Sequence, residues 1–413
     1  MTRAPLTVAL FGEFGTENLG NDGSLAVTLE ELRRRLPDAT FHVVCVHPEP
    51  VAARFGVRAT SVSGPRLKER GARRPGTLLN RVGSKLVDPL WVAWTLRTCD
   101  AVVLPGTGIL EDSDSLKPWS TPWMVAGAAA GARFHRLPLA YVGVGVSPAV
   151  TRVKRRLFRF ALRSATFRTY RDDYSRDAAH AMGVDTTGDA VQPDVCFVLD
   201  PPPAHLSSGA ARVGLGVMDW NGESSDPGQQ ERDRVAYEDA MTTIALQTAE
   251  RGHDITLLIG ESRDARVADL VRDRVTDKLP EARVRVQLAG TLEDLLEEMR
   301  GLDAVVATRF HNVVCALRSA VPTVALSYAP KTRALMRAVG REQDCLDVDA
   351  LDPQAVLTRL ESVLADREAA RAATGAAVAD YPRTVALHLD RLVEHLVESG
   401  AARRRRGRRL ART

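Results

Sequence analysis

An apolar run that ends in a glycine-rich turn lies near the start of the sequence: Thr7-Val-Ala-Leu-Phe11-Gly12-Glu-Phe-Gly15-Thr-Glu-Asn18-Leu-Gly20-Asn21-Asp22-Gly23-Ser24. An amphipathic stretch follows at residues 24–36 and predicts a helix. The turn has neither the spacing of a dinucleotide fingerprint nor a phosphate-loop lysine. The stretch therefore predicts a strand–turn–helix unit whose helix start could attract an anion, with helix capping by Asp22 or Ser24 as the simpler role.

The same alternation of apolar runs and helix-like stretches continues along most of the chain. Continuous apolar strands separated by helices are typical of parallel sheets covered on both faces. We therefore predict an α/β protein of two doubly wound Rossmann-like domains in tandem, with a ligand-binding cleft between them. The runs read as strands are residues 7–11, 41–46, 101–104, 139–146, 166–170, 212–217, 255–259, 284–288, 304–307 and 323–326.

Composition shifts divide the chain into five predicted segments. Residues 1–200 and 212–382 are predicted to form the two Rossmann-like domains, joined by a proline- and serine-rich linker at 201–211. Apolar residues recur at helical spacing in 383–400, which predicts a helix packed on one domain. Residues 401–413 are rich in arginine and almost devoid of apolar side chains, so we predict a disordered tail.

Composition and charge exclude several classes of protein. Hydrophobic residues make up 45% of the 413 residues and charged ones 26%, as in ordinary soluble proteins. The net charge is +4, but the last eleven residues hold seven arginines, so the rest of the chain carries −3 and nucleic-acid binding is not expected. Five widely spaced cysteines predict reduced thiols in a cytoplasm. No signal peptide or membrane span is expected.

Two further glycine-containing turns follow predicted strands in the first half. They are Pro105-Gly106-Thr-Gly108 and Gly143-Val-Gly145, and the carboxyl ends of parallel strands place them at one sheet edge. Beyond Gly108, Asp112-Ser-Asp114 has the spacing of a metal-binding pair, but such carboxylates are common in solvated loops and no metal is predicted. Arg171, in Tyr170-Arg171-Asp172, either reaches a ligand or pairs with a neighbouring aspartate.

The sequence Ala304-Val-Val-Ala-Thr308-Arg309-Phe310-His311-Asn312 is the sharpest candidate site. The pattern predicts an apolar strand that places Arg309 and His311 on one face, with a helix beginning at Asn312. Arginine, imidazole and a helix N-terminus together suit a small ligand with carboxylate and phosphate groups. Lys331, after the next strand, would add a further cation. The alternative is a histidine that caps the helix and an arginine in an ion pair.

Four motifs in this order resemble the polysaccharide pyruvyl transferase family from the first strand to about residue 340. They are Gly15-Thr-Glu-Asn18-Leu-Gly20-Asn21-Asp22, Gly106-Thr-Gly108 with Asp112, Tyr170-Arg171-Asp172 with Ser175, and Arg309-Phe310-His311 with Tyr328 and Lys331. The resemblance implies a type B glycosyltransferase-like fold. It also implies an enzyme that moves the enolpyruvyl unit of phosphoenolpyruvate onto two hydroxyls of one sugar, forming a pyruvate ketal and releasing phosphate.

The resemblance also assigns roles to individual residues. Arg309 and His311 match the pair that binds phosphoenolpyruvate, with Arg171, Phe310 and Lys331 as further donor-binding candidates. Acceptor or cleft positions are Asn18, Gly20, Gly106 and Gly108, although many family members have three glycines where this chain has Gly106-Thr-Gly108. Proton transfer is expected from His311 together with a carboxylate, and Glu13, Asp22 and Asp112 are the candidates. No cofactor or metal is expected beyond the donor.

Two other functions are compatible with these patterns. A nucleotide-sugar-dependent glycosyltransferase of the same fold would hold a diphosphate at the second domain's helix N-terminus. A non-catalytic docking protein would act through the arginine-rich tail. For a pyruvyl transferase, the expected partners are phosphoenolpyruvate and a glycan or lipid-linked glycan, in the cytoplasm, with peripheral contact between the tail and anionic lipid at the inner membrane face.

Overall fold

The structure is a computed structural model that describes residues 5–64, 78–111, 120–149, 151–205, 209–222, 224–287 and 290–410. It divides into two compact units. Unit 1 comprises residues 1–16, 24–195 and 384–413, and unit 2 comprises residues 17–23 and 196–383. Within the described ranges, no helix has the length and apolar character needed to cross a lipid bilayer. All five cysteines are buried and none forms a disulfide.

Unit 1 is built on a seven-stranded sheet in its described residues, with the strand order β3-β2-β1-β4-β5-β6-β7 and parallel pairing throughout. The order reverses between β1 and β4, which is where doubly wound sheets bind ligands. The strands are β1 (Thr7–Gly12), β2 (Thr40–Cys45), β3 (Arg58–Ser61), β4 (Ala101–Leu104), β5 (Leu139–Val144), β6 (Phe167–Tyr170) and β7 (Ala190–Val191). The helices are α1 (Leu19–Arg35), α2 (Pro48–Phe55), α3 (Leu78–Leu96), α4 (Thr121–Phe134), α5 (Arg152–Ser164) and α6 (Asp173–Ala181).

In its described residues, unit 2 repeats this topology with six parallel strands in the order β10-β9-β8-β11-β12-β13. Its reversal lies between β8 and β11. The strands are β8 (Arg212–Val217), β9 (Asp254–Ile259), β10 (Val284–Gln287), β11 (Ala304–Ala307), β12 (Thr323–Ser327) and β13 (Cys345–Asp347). The helices are α7 (Pro227–Glu250), α8 (Ala265–Lys278), α9 (Leu292–Met299), α10 (Phe310–Arg318), α11 (Pro330–Ala338), α12 (Pro353–Ala365) and α13 (Arg367–Val378).

Apolar strands form the middle of each unit, as their uninterrupted hydrophobic runs predict. Every residue of β4, β5 and β11 is buried, because helices cover both faces of each sheet. Among the described residues, one buried hydrophobic cluster lies within unit 1 and another within unit 2. The predicted fold class, two doubly wound α/β domains in tandem, is confirmed.

The last helix, α14 (Tyr381–Leu410), packs in unit 1. Its apolar side chains Val385, Leu389, Leu392 and Leu396 are fully buried, as their helical spacing predicts. The helix extends beyond the predicted residues 383–400 and includes residues 401–410, for which the sequence predicts disorder. Arg403 explains the continuation in part, because its Nη1 donates to the carbonyl of Cys99 at 2.8 Å.

The segment Glu17–Gly23 belongs with unit 2, although it lies inside the predicted N-terminal domain 1–200. The backbone N–H of Leu19 donates to the carbonyl of Gly260 at 3.2 Å, and Asn18 forms an antiparallel bridge with Glu261. These contacts tie the start of α1 to the end of β9. The boundary between the units falls between Val195 and Cys196, a few residues before the predicted linker 201–211.

Candidate active site

The carboxyl ends of β11 and β12 carry the residues that the sequence favoured most strongly. α10 begins at Phe310, so Arg309 is its N-cap residue and His311 lies in its first turn. The expected helix start at Asn312 and the shared strand face of Arg309 and His311 are therefore wrong. The helix starts earlier because the N–H groups of Asn312 and Val313 bond to the Arg309 carbonyl at 3.0 and 3.2 Å and close the first turn.

Arg309 is held by two carboxylates of unit 2. Its Nε and Nη2 donate to the two oxygens of Asp264 at 2.9 and 2.6 Å, and Nη2 lies 3.0 Å from Glu261 Oε2. Burial opposes the charged form, but the hydrogen bonds and charges of Asp264 and Glu261 raise the pKa of Arg309. The bidentate pair fixes the plane of the guanidinium. Nη1 is left without a hydrogen-bond partner among the residues that the structure describes.

Asp264 and Glu261 form a rigid support for this arginine. Asp264 is fully buried and also accepts the backbone N–H groups of Asp219 and Glu261, at 2.9 and 3.0 Å. Glu261 in turn pairs with Arg263. Two carboxylates thus face two arginines, and the cluster has no net charge that would repel an anion. Sequence reasoning missed both carboxylates because they lie more than forty residues before Arg309 and in no motif.

The N-terminal motif meets the same cluster. Asn18 caps α1 by accepting the N–H of Asn21 at 3.0 Å, and its amide donates to Glu261, the carboxylate that contacts Arg309. A Cβ at Gly20 would overlap the imidazole of His311, so only glycine leaves room for this ring. Asn18, Gly20, Arg309 and His311 are therefore close together, although nearly three hundred residues separate the two motifs.

Lys331 lies in the first turn of α11, where the helix dipole disfavours a cation. Its Nζ is 5.7 Å from the ring centre of Phe310 and 5.2 Å from that of Tyr328. Phe310 is almost completely buried and packs edge-to-face against His311, with ring centres 5.3 Å apart. The ring of Phe310 therefore packs beside both Lys331 and His311.

Asn312 is a further polar residue at the start of α10, one that the sequence pointed to only as a helix start. Its side chain is fully buried, and neither its oxygen nor its nitrogen has a hydrogen-bond partner among the described residues. Leaving a buried polar group unsatisfied typically costs about 1–3 kcal/mol. A ligand or a bound water that satisfies this amide would remove that cost.

In unit 1, Arg171 has more carboxylate partners than the sequence predicted. Its guanidinium pairs with Glu111 and lies 3.7 Å from Asp172 and 3.8 Å from Asp194. Burial opposes the charged form, but the negative charges of Glu111, Asp172 and Asp194 raise the pKa of Arg171. A Cβ at Gly145 would overlap both Arg171 and Glu111, so the glycine turn after β5 is shaped by this ion pair. Three carboxylates around one buried arginine disfavour an anionic ligand at this position.

The rest of the Tyr170-Arg171-Asp172 motif holds the sheet edge together. Asp172 caps α6 by accepting the N–H of Ser175 at 2.7 Å. The hydroxyl of Ser175 accepts the N–H of Val146 at 3.1 Å, just beyond the turn at Gly145. These bonds link the end of β5 to the start of α6.

The two glycines after β4 occupy crowded positions in unit 1. A Cβ at Gly106 would lie 3.0 Å from the carbonyl oxygen of Gly143, and one at Gly108 would lie 2.7 Å from Glu111 Oε2. Both glycines therefore permit the close packing of the turns after β4 and β5. Asp112, two residues beyond Leu110, lies outside the described residues.

The remaining carboxylate candidates are Glu13 and Asp22. Asp22 is half-buried in the first turn of α1, with its N–H bonded to the carbonyl of Asn18 at 3.0 Å. Glu13 follows β1 and accepts a hydrogen bond from the hydroxyl of Thr121. Glu13 also lines a cavity of about 180 Å³ in unit 1, together with Val62, Ser63, Asp88, Pro89, Val92, Ser120, Thr121, Trp123 and Met124. Glu13 thus borders a cavity of unit 1.

Comparisons with known proteins agree with the sequence resemblance. The family model for polysaccharide pyruvyl transferase matches residues 18–330. No curated protein matches the chain.

Solved structures with the same fold include HepE of Anabaena in complex with UDP and glucose (TM-score 0.58, 13% identity, 95% of this chain and 99% of that one). A glycosyltransferase from Rickettsia africae aligns with a TM-score of 0.60 at 10% identity, over 96% of this chain and 98% of that one. UDP-GlcNAc 2-epimerase from Neisseria meningitidis bound to UDP-GlcNAc aligns with a TM-score of 0.59 at 10% identity, over 95% and 99%. At such identities the likeness shows the two-domain α/β fold and no more.

Proposed function

The chain belongs to the polysaccharide pyruvyl transferase family and is a transferase, and on that premise we propose the reaction that its site performs. The donor is phosphoenolpyruvate, and the acceptor is a sugar of a glycan or lipid-linked glycan. The enolpyruvyl unit is transferred to two hydroxyls of that sugar, which yields a cyclic pyruvate ketal and releases phosphate. The proposed reaction uses no cofactor or metal.

The observation that carries the proposal is the charge at two neighbouring helix starts in unit 2. The first turns of α10 and α11 contain no acidic residue and instead bear His311 and Lys331, with Arg309 as the cap of α10. Cations at helix N-termini are unfavourable by themselves, so their placement here favours an anionic ligand. Phosphoenolpyruvate offers a carboxylate and a phosphate, one anionic group for each helix start.

We assign donor binding to Arg309, His311 and Lys331. Asp264 holds Nε and Nη2 of Arg309, so Nη1 is the atom assigned to the donor. The side chain of Lys331 lies on the rings of Phe310 and Tyr328, where an ammonium ion can attract a phosphate. His311 lies against Gly20 and in the same first turn that Arg309 caps.

The chemistry requires one proton to be delivered and two to be accepted. Protonation of the methylene carbon of phosphoenolpyruvate gives a cation at the adjacent carbon, which the first hydroxyl attacks. Loss of phosphate then allows the second hydroxyl to close the ketal ring. Of the two hydroxyl protons, one replaces the proton delivered to the methyl group and the other leaves with phosphate. We assign delivery to His311 and acceptance to a carboxylate, with Glu13, Asp22 and Asp112 as the candidates.

We propose that Arg171 positions the sheet edge of unit 1 and does not contact the donor. Three carboxylates already surround its guanidinium, so a trianionic donor would meet net negative charge there. Its pair with Glu111 instead maintains the turns at Gly106–Gly108 and Gly145. We assign the acceptor to this unit, with Asn18 and Gly20 acting on the donor side. We also propose a cytoplasmic enzyme whose C-terminal arginines, residues 403–412, contact anionic lipid at the inner membrane face.

Product release distinguishes this reaction from sugar transfer. The purified protein is incubated with phosphoenolpyruvate or with a UDP-sugar in the presence of a mixture of glycan acceptors. Phosphate release that depends on both phosphoenolpyruvate and acceptor supports pyruvyl transfer. Release of UDP without any use of phosphoenolpyruvate would show that the enzyme is a nucleotide-sugar glycosyltransferase.

A further inference from the structure

Most of the exposed large apolar side chains of the described chain lie on three helices of unit 1. Eight such residues are exposed, and six of them are on α3, α4 or α5: Val87, Leu90, Trp94, Phe134, Val153 and Phe160. Phe134 and Leu90 are the most exposed, at 77% and 71%. Exposed apolar side chains concentrated in one region of a soluble protein mark an interaction surface.

The three helices lie side by side on one face of the sheet. α4 packs against both α3 and α5. The connections β4–α4–β5 and β5–α5–β6 step along the sheet in the same direction, so right-handed crossovers place α4 and α5 on one face. On α3, Val87, Leu90 and Trp94 recur at helical spacing and form a stripe along its outer side. We call the outer surface of these helices the α3–α5 face.

This face is also strongly basic. Neither α4 nor α5 contains an acidic residue, and α5 alone exposes five arginines: Arg152, Arg155, Arg156, Arg159 and Arg163. Arg97, Arg133 and Arg136 add three more exposed arginines. None of these eight arginines forms an ion pair with a residue that the structure describes. Exposed arginines of unit 2, such as Arg232, Arg251 and Arg283, are each paired with a carboxylate.

We propose that the α3–α5 face docks on an anionic lipid bilayer. Apolar side chains interspersed with arginines match an interface of acyl chains beneath anionic headgroups. Nucleic acid would pair with the arginines but would leave the six apolar side chains without a partner. A symmetric dimer through this face would bring two sets of unpaired arginines together.

The arginine-rich end of α14 begins beside this face. Arg403 donates to the carbonyl of Cys99, three residues after α3 ends, and lies 3.4 Å from Asp100. Docking would hold the enzyme where lipid-linked glycans are found. This connection to the acceptor rests on the proposed function, whereas the docking proposal does not.

Binding of the full chain to vesicles tests the proposal without donor or acceptor, so its outcome is independent of the catalytic proposal. Vesicles of phosphatidylcholine mixed with phosphatidylglycerol should sediment with the protein, and vesicles of phosphatidylcholine alone should sediment with much less. Each arginine near an anionic surface contributes roughly fivefold to partitioning. Replacing Arg155, Arg156 and Arg159 by glutamine should therefore weaken binding about 100-fold. Leu90→Ser with Trp94→Ser should weaken vesicle binding roughly tenfold or more, because less apolar surface is buried in the bilayer.

Matched variants control for charge and exposed apolar area. Replacing Arg232, Arg251 and Arg283 by glutamine changes net charge equally, and Val235→Ser with Leu387→Ser removes exposed apolar side chains elsewhere. Both should leave vesicle binding unchanged. Equal binding by the α3–α5 variants and these controls would overturn the proposal.

A chain that ends at Arg403 separates the face from the later arginines. It should bind anionic vesicles more weakly than the full chain, and the α5 changes should weaken that remaining binding by a further factor of about 100. Abolition of binding by this truncation alone would assign it to the tail and overturn the proposal. Two other results would also overturn it. One is binding of duplex RNA as tightly as anionic vesicles, and the other is a dimer in solution that the Leu90 and Trp94 changes dissociate.

Discussion

Replacing Gly20 by alanine tests the contact between the N-terminal motif and His311. Gly20 is in the first turn of α1, where alanine by itself would favour the helix by about 1 kcal/mol. The new methyl group would overlap the His311 imidazole, so the ring must move. A hydrogen bond to a charged ligand is worth about 1.5–3 kcal/mol, so its loss should raise the Kd for phosphoenolpyruvate roughly 10- to 100-fold.

Calorimetric titration with phosphoenolpyruvate measures this change, and Gly23→Ala is the matched control. Gly23 lies on the same helix, and a methyl group there would overlap the apolar Leu292 instead of a histidine. Both variants carry a comparable steric strain on unit 2, but only Gly20→Ala should weaken donor binding. Equal affinity in wild type and Gly20→Ala, with both proteins folded, would refute the assignment of His311 to the donor site.

Three further predictions concern charge. Lys331→Met should fold normally and weaken phosphoenolpyruvate binding about tenfold or more in calorimetry, because one ion pair of about 1.5–3 kcal/mol is lost. Unchanged affinity would show that Lys331 does not contact the donor. Arg309→Ala leaves the buried carboxylate of Asp264 unpaired and should lower the free energy of unfolding by about 3–5 kcal/mol in urea. Adding Asp264→Asn should recover part of that loss, and no recovery would argue against the pair.

Burial, with a smaller effect from Arg58, lowers the pKa of His42 to about 4. In the unfolded chain, His42 binds a proton near pH 6.5. The contribution of the neutral, buried imidazole to the free energy of unfolding is therefore complete above that pH and is lost as the pH falls to about 4. The loss should be about 3 kcal/mol in urea unfolding, and it should be absent in His42→Gln. An equal pH dependence of stability in wild type and His42→Gln would show that His42 is not its cause.

Hydrophobic periodicity was sufficient to predict the fold class because it reports burial directly. The short edge strands β3, β7 and β13 were missed because they are only partly buried. The run read as a strand at residues 212–217 is β8, and the apolar positions of the last helix are the buried ones. Two features depended on tertiary contacts that no local pattern contains. The start of α1 belongs with unit 2 because Asn18 contacts Glu261, and α14 continues to Leu410 beyond the expected end of the helix.

The candidate site was predicted as a set of residues but not as a set of partners. Arg309, His311, Gly20 and Lys331 lie in motifs, so their residue types and spacing suggested an anion site. The supporting carboxylate Asp264 lies outside any motif, and an ion pair between residues distant in sequence leaves no periodic signal. For the same reason, the sequence favoured a donor-binding role for Arg171, whose carboxylate neighbours appear only in the folded unit.

Titration of the wild-type protein with phosphoenolpyruvate and, separately, with UDP tests the central claim most directly. The account predicts saturable binding of one phosphoenolpyruvate per chain, competition by inorganic phosphate and marked weakening in Arg309→Lys, because lysine lacks the planar fork that Asp264 holds. UDP should bind much more weakly. Tight binding of UDP together with no detectable binding of phosphoenolpyruvate would contradict the proposed donor.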